Sequence, residues 1–177
     1  MRRSIRLIFA AEALAFCLLA AACAENPVIL EVSLEQPGAM TFAGTDPDKP
    51  RLFVANTGQE SLQVLELNNG LEDVSFVASK AIYFPLRIPS GPAPKGLAAT
   101  EDGRFVAVLD WMTERLRLLD ADSLTFAQAD GADLEVVLGP NGAKPHSIVL
   151  LPGCGDGCSG RFAVSLEGAG AVSVLVV

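Results

Sequence analysis

One pattern occurs three times in this chain, and it leaves few architectures open. The first copy starts at Pro37 and runs P-G-A-M-T-F-A, the turn G-T-D-P-D-K-P, then R-L-F-V-A-N, T-G-Q-E-S and L-Q-V-L-E-L. The second spans residues 94–120, P-K-G-L-A-A-T-E-D-G-R-F-V-A-V-L-D-W-M-T-E-R-L-R-L-L-D. The third starts at Pro145 with P-H-S-I-V-L-L, then P-G-C-G-D-G-C-S-G, R-F-A-V-S-L-E, G-A-G and A-V-S-V-L-V-V. Each copy reads proline, apolar strand, acidic Gly/Pro-rich turn, arginine, apolar strand, small-residue loop, alternating strand. Asp102-Gly103 between apolar runs is a hairpin signal, because a tight turn needs residues that tolerate positive φ. Leu116 and Leu118 fall at strand spacing, not helix spacing. Self-similarity at the period marked by Arg51, Arg104 and Arg161 predicts an array or propeller, each copy being one supersecondary unit. That period slightly exceeds the roughly 40–50 residues of a propeller blade, and the excess lies between copies, as at residues 78–93.

The segments between copies supply outer strands. Residues 71–78, L-E-D-V-S-F-V-A, fit a fourth, outermost strand after the first copy, and residues 134–138 fit the same role after the second. Residues 81–88 are strand-like but interrupted by Pro85, which suits an edge or a loop. Residues 28–34, V-I-L-E-V-S-L, read as a further strand bounded by Pro27 and Pro37.

The chain is 50% hydrophobic with a mean hydropathy of +0.38, enough apolar content for a core, so disorder is not expected. The net charge is −8, and without Arg2, Arg3, Arg6 and Glu12 of the N-terminal segment the remainder is more acidic still. Such a chain repels phosphate backbones, so nucleic acid is not expected as a partner.

Residues 1–22 read as a signal peptide outside the fold, with Arg2, Arg3 and Arg6 as a positive n-region and residues 7–22 as an apolar h-region interrupted by Glu12. A retained transmembrane helix is the competing reading, but the stretch is short of about 20 clean apolar residues and carries a charge. Two cleavage readings compete. L-A-A-A-C-A resembles a bacterial lipobox with Cys23 as the lipid-bearing residue, although Ala20 stands where a Leu is usual. Alternatively, Ala22-Cys23-Ala24 is an ordinary A-x-A site that frees Glu25. The lipoprotein reading is favoured, since the ordinary one has no need of a cysteine. It implies membrane contact through a lipid anchor and an outer-membrane location; ordinary cleavage implies a soluble periplasmic or secreted protein.

Residues 51–67, R-L-F-V-A-N-T-G-Q-E-S-L-Q-V-L-E-L, resemble the repeat of YVTN-type β-propellers, and E-D-G-R-F-V-A-V and P-H-S-I-V resemble its first hairpin. The resemblance covers most of residues 37–177. Residues 110–115 form a longer loop than the family's small-residue turn, and the third copy ends with its alternating strand at Val177. The resemblance implies an all-β chain: a signal helix over 1–22, a linker and strand over 23–36, then about three blades near 37–88, 94–138 and 145–177. Three blades are too few to close a ring. A fragment of a longer protein is therefore expected, or self-association. The strand at 28–34 is then the type of segment that such propellers lend to their last blade.

Candidate site residues are few. Cys17 lies in the targeting segment and Cys23 is the lipidation candidate, leaving Cys154 and Cys158 within one hairpin turn. In an exported protein the default is a disulfide between them. A zinc site would need more ligands than a chain with one histidine offers, and no metal or cofactor is expected. His146 follows Pro145, at the position held by Gly38 and Lys95 in the other copies. First strands line a propeller's channel, so Lys95 and His146, with Lys144 nearby, are the ligand-binding candidates; the plain alternative for His146 is a satisfied polar residue at a strand start. The acidic turns with Asp46, Asp48, Glu101, Asp102 and Asp156 fit turn chemistry or, less well, calcium. Trp111-Met112 is either an anchor for a protein partner or packing between blades. No catalytic residue is identifiable, since no nucleophile motif occurs. The expected role is an envelope-anchored binding or scaffolding module for a protein or small ligand; a lactonase-like hydrolase with its site at the channel mouth is the alternative.

Overall fold

A computed structural model describes residues 36–68, 73–76, 86–153 and 157–177 of the chain. All of them belong to one compact unit, Ser33–Val177. The expected signal helix, Cys23 and the strand at 28–34 lie outside the described residues.

The described chain is all-β, with every strand pairing antiparallel. The first sheet is built from β1 (Pro37–Ala43), β2 (Arg51–Asn56), β3 (Ser61–Asn68), β4 (Asp73–Phe76) and β5 (Leu86–Pro89). The second is built from β6 (Pro94–Ala99), β7 (Phe105–Asp110) and β8 (Arg115–Asp120). A small hairpin follows, β9 (Gln128–Ala129) with β10 (Ala132–Asp133), before β11 (Glu135–Val137) returns to the second sheet beside β8. The third sheet is β12 (Pro145–Leu151), β13 (Arg161–Leu166) and β14 (Ala171–Val176). Among the described residues the only helical stretch is a 3-10 turn at Thr57–Gln59.

Both outer strands are split. β4 pairs with the Leu65–Asn68 end of β3, while β5 pairs with its Ser61–Val64 end. On β8, β11 covers Arg115–Arg117, and Phe126 bridges Leu119 further along. The β9–β10 hairpin steps out between those two contacts. Among the described residues no strand pairs with the outer edge of β14.

Register fixes which residues correspond between sheets. Ala43 stands opposite Arg51 and Leu151 opposite Arg161, whereas Thr100, the sixth residue after Pro94, bonds with Phe105. The counterpart of Arg51 and Arg161 is therefore Phe105, and the sequence alignment on Arg104 is one residue out. The second turn is tighter, so its arginine falls inside the turn.

The first strands β1, β6 and β12 are neighbours, and the sheets stack in order. Ala55, Phe53, Leu62 and Val64 of the first sheet pack against Leu97, Val106, Val108 and Leu119 of the second. The opposite face of the second sheet, with Ala107, Leu109, Leu116 and Leu118, packs against Ile148, Phe162, Val164 and Leu166 of the third. The middle sheet is thus buried on both faces. This is why F-V-A-V-L reads as a continuous apolar run instead of alternating.

Polar clasps join the layers. The Arg51 guanidinium donates to the carbonyls of Ala121 and Asp122, at 2.6 and 2.9 Å, and the Thr45 hydroxyl donates to Asp122 Oδ2 at 2.6 Å. Glu114 accepts from the amides of Gly142 and Lys144 at 3.0 and 3.2 Å. Ser173 Oγ donates to Leu138 O at 3.1 Å.

The turn carboxylates are occupied locally. Asp102 Oδ1 accepts from Thr100 Oγ1 at 2.6 Å and from the Arg104 amide at 3.0 Å. The Thr100 hydroxyl, then the turn amide and the Arg104 charge, hold the Asp102 carboxyl below its usual range. Asp120 is likewise lowered, mainly by the Ser123 amide. A carboxyl whose folded pKa is depressed stabilises the fold above its unfolded pKa of about 3.9 and loses that contribution as pH falls through the folded value. Urea midpoints measured from neutral pH down to acid are therefore expected to fall less steeply below about pH 4 for Asp102→Asn than for the parent protein. Parallel acid limbs would show that Asp102 has no such role.

Candidate functional site

The three residues that follow the strand-initiating prolines share a backbone device. Pairing register skips between Pro37 and Met40, between Pro94 and Gly96, and between Pro145 and Ser147. Gly38, Lys95 and His146 therefore each sit in a β-bulge, which bends the strand and re-aims a side chain. Sequence shows the proline but not the bulge.

At the first two bulges the sheets come close. A Cβ on Gly38 would stand 3.3 Å from Lys95 O, so a bare backbone is accommodated there at the limit of contact. Next to it lies a cavity of about 530 Å³ lined by Gln36, Gly38, Thr57, Ala93, Lys95, Trp111 and Met112, among others. Thr57 Oγ1 donates to Pro94 O at 2.6 Å and the Trp111 amide donates to Ala93 O at 3.0 Å, which pins both walls. Lys95 Nζ lies 5.4 Å from the centre of the Trp111 ring. No carboxylate pairs with Lys95 among the described residues. Asp110, next to Trp111, is buried, and its Oδ1 accepts from the amides of Met112 and Thr113, both at 2.9 Å. Trp111 is half-buried, and its Nε1 is buried with no acceptor among the described residues. Met112 is exposed beside it.

The other candidates fall elsewhere. His146 is exposed, with Nδ1 3.1 Å from Ser147 Oγ, and lines a second cavity of about 530 Å³ with Ser165, Leu166, Glu167, Ala171 and Val172. Lys144 has a positive φ of 48°; its amide is held by Glu114, and its carbonyl accepts from the Glu167 amide at 3.1 Å. Lys95 and His146 thus line separate cavities, and Lys144 lines neither. Cys158 Sγ is 3.4 Å from Gly160 O, whereas Cys154 and Asp156 lie outside the described residues. Asp46 Oδ1 accepts from the Asp48 amide at 3.0 Å, a turn contact. Among the described residues no group of three His, Cys, Asp or Glu side chains is placed to hold a metal ion. The residue underweighted in the sequence as a ligand contact was Trp111. Its place directly after β7, at the level of Thr57 in the first sheet, was the available signal.

The class defined so far is an all-β chain of stacked antiparallel sheets with a cavity at the first junction. No protein-family model matches the sequence, and no curated protein matches it. Among solved structures, Kuenenia stuttgartiensis hydrazine synthase is similar at a TM-score of 0.47 and 16% identity, over 86% of this chain and 39% of that one. The chain spans well under half the length of that structure.

Proposed function

We propose that the chain forms consecutive blades of a β-propeller held at a bacterial envelope through Cys23, and that it is a binding module whose site is the Lys95–Trp111 cavity. The blade reading is supported by the threefold repeat, by adjacent first strands and by sheets stacked in sequence order. Cys154 and Cys158 are proposed as a disulfide across the β12–β13 turn. The observation that carries the binding role is the cavity itself. Its volume is within the range of small-molecule sites, and its walls are mostly apolar with few polar groups, as such sites usually are. Lys95, with no carboxylate partner among the described residues and beside an indole face, fits a small carboxylate with an apolar body. The carboxylate makes charge-assisted hydrogen bonds to the ammonium, and the body lies on Trp111 and Met112.

Trp111 is the chain's one tryptophan, so its fluorescence reports on the site. Titration with benzoate, 3-phenylpropionate, hexanoate and short peptides with free or amidated C-termini is expected to perturb that fluorescence saturably for some carboxylate. Lys95→Met is expected to weaken the response at least about tenfold, the value of one charged hydrogen bond of about 1.5–3 kcal/mol. An equal response from Lys95→Met, or none from any carboxylate, would sink the site.

A further inference from the structure

We propose that Asp110 is the positioning residue of the Lys95–Trp111 cavity: its buried carboxylate fixes the indole wall against the Pro92–Ala93 wall before any ligand arrives. The inference rests on the proposed binding role and adds what sets the affinity of that site.

Trp111 and Met112 belong to the short loop between β7 and β8. A tight loop leaves backbone amides without ladder partners, and these need acceptors. Asp110 supplies one. It is the last residue of β7, it is 2% exposed, and its Oδ1 accepts from the Met112 and Thr113 amides, both at 2.9 Å. A carboxylate makes such bonds stronger than a neutral acceptor does. The preceding amide, that of Trp111, is committed to the other wall and donates to Ala93 O at 3.0 Å. Three consecutive amides are therefore held, and the backbone beneath the indole has little freedom to swing.

The same carboxylate meets the segment that enters the opposite wall. A Cβ on Gly91 would overlap Asp110 Oδ2 and would lie 2.9 Å from Arg117 Nη2, so a bare backbone is needed there. Arg117 donates to Ser90 O, and the Ser90 amide donates to Glu60 O at 3.1 Å. The chain leading into Pro92 and Ala93, which line the cavity, is thus seated between the first sheet and the Asp110 side chain.

The other sheets differ at this place. Asn56, Asp110 and Leu166 each pair with the initiating proline of their own sheet, so the three positions correspond. Asn56 Nδ2 donates to Gln59 Oε1 at 3.0 Å, a neutral contact, and Leu166 has no side-chain acceptor. Of the three, only the loop that bears the indole is held by a carboxylate, a group that is costly to bury. A wall fixed in advance lowers the ordering cost of binding.

The experiment uses the full chain expressed in a Gram-negative host, with Cys23→Ser to keep it out of detergent, and the carboxylates named above, read by Trp111 fluorescence. Asp110→Ala is expected to weaken the best carboxylate about tenfold, because binding must then order Trp111 and Met112. Without ligand, Trp111 in that variant is expected to be quenched more strongly by acrylamide than in the parent protein. Asp110→Leu, which puts the third sheet's residue type there, carries the same expectations should the alanine variant not fold. Asp110→Asn keeps a side-chain carbonyl for the two amides and is expected to bind within about threefold of the parent, with parental quenching. Phe162→Ala, at the other junction, is the control that loses stability while keeping affinity and quenching. Parental affinity or parental quenching in the acceptor-free variants would overturn the proposal. So would equal losses in Asp110→Asn and Asp110→Ala, or a matching loss in Phe162→Ala. A parent protein that answers to no carboxylate is a separate failure, that of the binding role, and ligand-free quenching still decides whether Asp110 holds Trp111.

Discussion

Phe162→Ala is expected to lower the unfolding free energy by about 3–5 kcal/mol, the range for emptying a core of an aromatic ring. Phe162 has no exposed surface, and it stands in register between Leu150 and Leu175 in the core between the second and third sheets. Its neighbours come from two sheets whose backbones are tied by their own ladders, so the gap cannot close by local collapse. Loss of that ring also weakens the contact that holds the third sheet on the stack. Urea unfolding provides the measurement, with a lower midpoint and an unchanged slope expected if the native surface is otherwise intact. Val174→Ala, on the opposite and exposed face, is the comparison, with a change within about 0.5 kcal/mol for the single chain. A similar small loss at both positions would mean that the two sheets do not share a core as described.

Gly103→Val is the second large expected effect, and it has two separable parts. Gly103 has φ +71°, in the region that a β-branched residue enters only with strain of about 1–3 kcal/mol. In addition, a Cβ there would lie 2.7 Å from Gly44 O, a backbone atom of the first sheet's turn. Gly44 N donates back to Gly103 O at 2.8 Å, so the two turns are fastened together and neither can yield alone. Displacing the Gly44 turn adds about 1–3 kcal/mol, as overpacking does. Gly131 isolates the first part, since it has φ +80° with nothing within 4 Å of an added Cβ. Gly103→Val is expected to melt well below Gly131→Val. Equal melting temperatures would show that the contact between the two turns is not tight.

Much of the fold was legible because turn chemistry and strand chemistry are local. Gly103 takes the positive φ that the turn after Asp102 needs, and the prolines at 37, 94 and 145 each start a strand. The outer strands expected within 71–78 and 134–138 appear as β4 and β11. Strand boundaries in the three copies followed from runs of apolar residues flanked by Gly, Pro and Asp.

Register was not legible. Aligning on arginine placed Arg104 with Arg51 and Arg161, but hydrogen bonding puts Phe105 there, because turn length and not residue type sets the pairing. The bulges at Gly38, Lys95 and His146 were hidden for the same reason, since a bulge is a mismatch between two strands and belongs to neither sequence alone. The candidate cations looked like one cluster in the repeat, yet Lys95 faces the closed first junction and His146 the open third face. By itself the sequence determined the all-β class and the hairpin turns, since each depends on residues adjacent in the chain. The tertiary structure alone decided which apolar faces meet, that Trp111 and Lys95 share a cavity, and that Val172 and Val174 remain exposed where Leu62 and Leu116 are buried. Those outcomes depend on how whole sheets stack, and an apolar residue reads the same whether or not a neighbouring sheet arrives to cover it.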